Sequence, residues 1–178
     1  MHPHKFTLWV AMGSLIMMFA GLTSAFIVKS NQAGWKPVTL PAVFWFSTVA
    51  IVISSVTMYL AVRAARSQQM SAYRIWLLAS FVLGASFCWL QWQGFNALWA
   101  QQITFRGAGA GQFLYVIFGL HILHVIGGMI ALPIIVIKTF FGRKEINQVT
   151  AEITATYWHF VDLLWIYLLV FFLVIGQR

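Results

Sequence analysis

Residues 157–176 read YWHFVDLLWIYLLVFFLVIG, a run long and apolar enough to cross a hydrocarbon core, which takes roughly 20 helical residues. Inside it, Asp162 sits among Phe160, Val161, Leu163 and Leu164. An aspartate at the middle of an isolated membrane helix costs about 2.5–3.5 kcal/mol to insert, so this one calls for a partner. His159 is three residues away, and positions i and i+3 share one helix face within side-chain reach. The two are expected to hydrogen-bond, which offsets much of the desolvation cost. Such a pair pins the helix to its neighbours. Proton handling and the binding of lipid or another subunit are the competing roles.

Composition places this run in a membrane. Of 178 residues, 61% are hydrophobic and 8% charged, and the mean hydropathy is +0.85. A soluble domain carries about 25% charged residues, so the chain is read as an integral membrane protein. Five apolar runs reach spanning length, at residues 7–28, 40–62, 75–98, 113–137 and 155–175. Their continuity, without period-two alternation, predicts helices. The connections are short, so residues 1–178 form one five-helix domain of the all-α membrane class. The first run is longer than a signal-peptide core and lacks a small-residue cleavage site, so it is expected to be retained.

The net charge of +8 is not a nucleic-acid signature, because the basic residues lie in short clusters between apolar runs. Lys5, Arg63, Arg66, Arg74, Lys138, Arg143 and Lys144 fall on one side of the membrane, seven against the four of Lys29, Lys36, Arg106 and Arg178. The positive-inside bias then puts the N-terminus inside and the C-terminus outside. Trp9, Trp35, Trp76, Trp99 and Trp158 fall near segment ends, as interfacial aromatics do. Trp89 and Trp92 lie deeper and are expected between helices. Gly21-x-x-x-Ala25 and Gly127-x-x-x-Ala131 are spaced for close helix approach, and Pro133 should bend or interrupt the fourth helix. Gln91, Gln93 and Asn96 are expected to bond between helices. Cys88, the only cysteine, excludes an intramolecular disulfide.

A second polar motif, GLHILHVIGG at 119–128, places His121 and His124 at i and i+3 among glycines. It reads as a close helix crossing bridged by imidazoles, or as ligands which, with His159, would hold haem or a metal. No carboxylate or cysteine set with metal-site spacing accompanies them. RGAGAGQ at 106–112 follows no strand, so it reads as an outer loop rather than a phosphate cradle.

Taken together, GLHILHVIGG and YWHFVDLLWIYLLVFFLVIG resemble subunit III of the haem–copper oxidases, the cytochrome c oxidase family and its quinol-oxidase relatives. His121, His124, Trp158, His159, Phe160, Val161, Asp162 and Trp165 stand at positions matching the family's two motifs. A fainter likeness continues through LGASFCWLQWQGF at 83–95 and LIMMFAGLTSAFIV at 15–28. The resemblance implies the five-helix form, multi-pass in a bacterial inner membrane. It implies a non-redox accessory subunit of a proton-pumping terminal respiratory oxidase, stabilising the catalytic subunit and holding phospholipid. Subunit I would be the direct partner, with subunit II in the same complex and a larger respiratory supercomplex left open. This chain would carry no catalytic residue, cofactor or metal, with haems and copper in the partner subunits. His121, His124, His159 and Asp162 would be intramembrane polar residues. A lipid-contacting basic position of the family falls at Lys138, and Arg63 and Arg66 at the same boundary should favour anionic lipid.

The chain departs from the family at two membrane carboxylates. One position falls at Leu15, and the family's Gln-x-x-Glu appears as Gln91-Trp-Gln-Gly94. Proton collection through those two acids is therefore not implied. The competing reading is a haem-binding, cytochrome b-like membrane anchor using His121, His124 or His159. A small transporter is disfavoured because no broken-helix pair or repeat symmetry is visible. The electron donor and haem types are determined in other subunits.

Overall fold

A computed structural model describes residues 3–31, 39–103, 110–141 and 147–176. It contains five helices: α1 Pro3–Ser30, α2 Val43–Arg66, α3 Met70–Ala100, α4 Ala110–Phe141 and α5 Gln148–Val174. All five are long and apolar enough to cross a membrane, and no strand occurs among the described residues. The expected all-α, five-span class is what the chain adopts. Trp35, Lys36, Arg106, Arg143, Lys144, Arg178 and the glycine-rich residues 106–109 lie outside the described residues.

The helices mostly overrun the apolar segments, because a backbone already hydrogen-bonded to itself continues past the hydrocarbon boundary. The largest extension is at the start of α5. There Asn147 adopts an extended conformation and its side-chain oxygen accepts from the Thr150 amide at 3.2 Å. This N-cap satisfies one of the otherwise orphaned first-turn donors. It starts the helix seven residues ahead of the apolar run and brings Glu152 into it. α4 continues through Pro133 to Phe141 rather than ending there.

α2 and α3 are joined by a tight turn in which Gln68 has φ of 54°. They form the most extensive helix pair of the bundle. α5 packs against α1, α2 and α4, while among the described residues the backbone of α1 comes close to α4 and α5. Trp165 of α5 is fully buried, with ring contacts to Phe44, Phe87, Phe118 and His121 at centroid distances of 5.9, 5.3, 5.0 and 5.4 Å. A second buried cluster joins Met58, Ala64, Tyr73, Leu132, Ala151 and Trp158. It gathers one end of each of α2, α3, α4 and α5, the end that also carries the basic residues.

The close approaches fall where a large ring meets a glycine. Cβ atoms built at Gly84 and Gly128 would lie 2.8 and 3.2 Å from Trp158, and one at Gly94 would lie 2.7 Å from the Phe44 ring. Gly21 and Ala25 instead face outward, with nothing within 4 Å of the Gly21 position. That small-residue pair is not a contact within this chain. Gly127 is also exposed, with only the Tyr157 hydroxyl nearby.

Candidate functional site

The expected His159–Asp162 hydrogen bond does not form. His159 Nδ1 lies 2.6 Å from Ser55 Oγ on α2. Among the described residues, both oxygens of Asp162, a residue only 4% exposed, lack a hydrogen-bond partner. The i, i+3 spacing does put both residues on one face, but that face packs on α2, where a serine is the nearer partner for the imidazole. Ser55 is also within electrostatic reach of the Asp162 carboxyl, outside hydrogen-bond geometry. Ser55, His159 and Asp162 therefore form one polar cluster between two helices, with the carboxyl unsatisfied.

The other two histidines go elsewhere. His121 is fully buried, edge-on to Phe87 and tilted over Trp165, and neither ring nitrogen has a partner among the described residues. His124 Nδ1 sits 2.6 Å from the Leu120 carbonyl of its own helix, and its backbone carbonyl accepts from the Tyr157 hydroxyl at 2.9 Å. Neither imidazole bridges helices by hydrogen bonding, contrary to the crossing inferred from the glycines. Among the described residues no group of three His, Cys, Asp or Glu side chains converges as a metal site.

Further interhelical polar bonds run from indoles and Gln91 to small hydroxyls, and it is those hydroxyls that the sequence did not single out. The Trp158 indole donates to Ser54 Oγ at 3.0 Å, and the Trp165 indole to Thr48 Oγ1 at 3.0 Å. Trp158 is thus a buried anchor, not the interfacial residue expected from its place near a segment end. Thr57 Oγ1 and Ser80 Oγ are 2.8 Å apart. Gln91 donates to Ser47 Oγ at 3.2 Å, bridging helices as expected. Gln93 and Asn96 are exposed, as are Trp89 and Trp92 at 64% and 63%. The third helix turns that aromatic-and-amide face away from its own bundle, overturning the expectation that these residues pack inside.

At the charged end, Glu152 bridges Lys5 of α1 and Arg66 of α2, at 2.7 and 3.1 Å. These residues rim a groove of about 530 Å³ between α1, α2 and α5, walled by Trp9, Tyr59, Arg63, Thr156 and His159. Trp9 also borders an apolar trough of about 560 Å³ running between α1 and α5, along Ile16, Leu163 and Tyr167. Lys138 is exposed and lines neither.

The profile of the family described as cytochrome c oxidase subunit III matches residues 5–177. The chain belongs to the cytochrome c oxidase subunit III family. It is similar to the probable cytochrome c oxidase subunit 3 of Mycobacterium tuberculosis strain H37Rv, 31% identical over 163 residues that cover 88% of this chain and 80% of that one. The Nocardia farcinica protein of the same description is 32% identical over 170 residues, with 89% and 80% covered. The cytochrome c oxidase subunit 3 of Bacillus subtilis is 25% identical over 169 residues, with 90% and 80% covered. Subunit III is by definition one part of a multi-subunit oxidase, so this chain is a multi-pass membrane subunit of a terminal oxidase complex. At Gly94, where the resemblance leads one to expect a family carboxylate, the fold has no room for a side chain. The Phe44 ring, fully buried, occupies the space that any side chain there would need.

Proposed function

We propose that this subunit III supports the catalytic subunit of its oxidase without carrying redox chemistry, in a bacterial inner membrane with its charged end inside. One observation carries the reading: the three intramembrane histidines enter three separate packing arrangements, and among the described residues no three His, Cys, Asp or Glu side chains converge. A cytochrome b-like anchor needs axial imidazoles that face a common haem-sized space. Here the polar side chains are used to lock helices together, as a rigid lateral support requires. Subunit I is the expected direct partner, with subunit II in the same assembly, and haems and copper belong to those chains.

The same reading assigns lipid to the charged end. Lys5, Arg63 and Arg66 carry three positive charges at the groove against the single negative charge of Glu152. The rim therefore keeps a positive excess suited to an anionic headgroup, and the trough beside Trp9 offers room for an acyl chain. Lys138 would hold lipid separately, at the same boundary. Affinity purification in mild detergent, with mass spectrometry and a reduced-minus-oxidised spectrum, tests the whole. The chain should bring down subunits I and II and be colourless once separated from them. An oxidase lacking it should keep its full haem spectrum and initial rate yet inactivate faster in turnover. A haem band lost in proportion to this chain would overturn the reading in favour of the anchor.

A further inference from the structure

Asp162 stands out because a native fold rarely leaves a buried carboxyl unsatisfied. A buried carboxyl without a firm partner changes its charge only by taking up or giving off a proton. The question is whether a proton can reach it. The groove between α1, α2 and α5 opens at the charged end, with polar walls at Glu152, Thr156 and His159. Its volume of about 530 Å³ exceeds the ~30 Å³ share of one water many times over, and its walls offer the polar partners water needs. From Glu152 to His159 is about 10 Å of helix rise, and Asp162 lies about 4.5 Å further along.

We propose that the groove, His159 and Ser55 form a proton inlet that gives Asp162, midway along α5, exchange access to the charged end of the bundle. His159 joins the groove to the interior, since it lines the groove while its Nδ1 meets Ser55 Oγ at 2.6 Å. In the Nδ1–H tautomer, Nε2 accepts a proton from groove water, whose hydroxide is released to bulk solvent at the charged end, and Nδ1 passes its own proton to Ser55 Oγ. When the Ser55 hydroxyl turns into hydrogen-bond geometry with the Asp162 carboxylate, its hydrogen moves to that oxygen, leaving the acid neutral and the histidine in its other tautomer. The reverse sequence returns the proton, so atoms and charge balance without a further reagent. The titratable neighbours are His159 and Glu152 on α5, Tyr59, Arg63 and Arg66 on α2, and Lys5 on α1. On α4, His121 stacks over Trp165, one turn beyond Asp162, and His124 bonds its own helix.

This inlet does not rest on the support role proposed above, and its readout is separate. Infrared spectra of the assembled oxidase, wild type minus Asp162→Asn, isolate the carbonyl stretch of this acid. Asp162→Glu, which should shift the band, serves if the asparagine variant fails to assemble. On transfer to D₂O the wild-type band should downshift promptly as the acidic proton exchanges. Ser55→Ala, which removes the relay hydroxyl and little volume, should slow that exchange by roughly 10²-fold, the scale of a lost positioned proton carrier. Ser55→Thr should restore it. Equal exchange in wild type and Ser55→Ala, a band that never shifts, or no protonated-acid band at Asp162 would each overturn the inlet.

Discussion

Gly94→Ala should destabilise this subunit although alanine is the better helix former. A Cβ at residue 94 would come within 2.7 Å of Cζ and 2.8 Å of Cε1 of Phe44, distances real Cβ contacts essentially never show. Phe44 cannot easily give way. It is fully buried, edge-on to Phe118 at 5.5 Å and tilted against Trp165 at 5.9 Å. Overpacking a well-filled core costs about 1–3 kcal/mol, while replacing a mid-helix glycine by alanine returns roughly 0.5–1 kcal/mol. Mid-range values leave a net loss of roughly 1 kcal/mol, and at most about 2.5 kcal/mol. Gly21→Ala supplies the opposite case, because nothing lies within 4 Å of its added methyl. It should gain up to about 1 kcal/mol. Unfolding of the separated subunit in mixed micelles, followed by tryptophan fluorescence, measures both. In a Phe44→Leu background the alanine at 94 should cost less than it does alone, because contacting residues are not additive. Equal stability of Gly94→Ala and Gly21→Ala would refute the steric account.

Trp158→Phe should lose about 1–3 kcal/mol in the same unfolding assay, since it removes the buried indole donor to Ser54. Glu152→Gln should lose under about 1 kcal/mol, because Lys5 and Arg66 are 40% and 65% exposed and their ion pairs are screened. The same change should increase anionic-lipid retention in native mass spectrometry by freeing both cations. Lys5→Ala should lower that retention by about 1 kcal/mol, roughly fivefold. Lys138→Ala should lower it independently, because that lysine stands outside the groove, and unchanged retention in either variant would remove that residue from the lipid site.

The five spans were legible in the sequence because only a long, continuous apolar helix satisfies its backbone in hydrocarbon. The helix faces were not. In water an apolar stripe marks the buried side, but in a bilayer the outward side is apolar too. Trp89 and Trp92 thus read like core residues and turned out exposed, while Trp158 read like an interfacial residue and is an anchor. The i, i+3 rule correctly put His159 and Asp162 on one face, yet it says nothing of the opposing helix. Ser55, which decides the hydrogen bond, lies 104 residues away in sequence. Small hydroxyls such as Ser47, Ser54 and Ser80 carry no local signal, since a serine in a membrane helix can bond its own backbone as readily as a neighbour.

What did carry information was an unusual residue in a place where it is costly. Half of the most apolar window of α5 is buried, against 22% for α1, so α5 is the strand of contacts on which the bundle is organised. Its tryptophans fill the glycine notches of α3 and α4 and bond the hydroxyls of α2. On so central a helix an acid that merely pinned neighbours would be expected to hold a well-formed hydrogen bond, and among the described residues Asp162 holds none. Either the fold tolerates an insertion cost of a few kcal/mol for nothing, or the carboxyl is kept free because it exchanges a proton. The Ser55–His159 bond beside it, reached from a polar groove, favours the second. Because alanine at position 55 would leave the α5 anchors in place, its effect on exchange separates these two accounts.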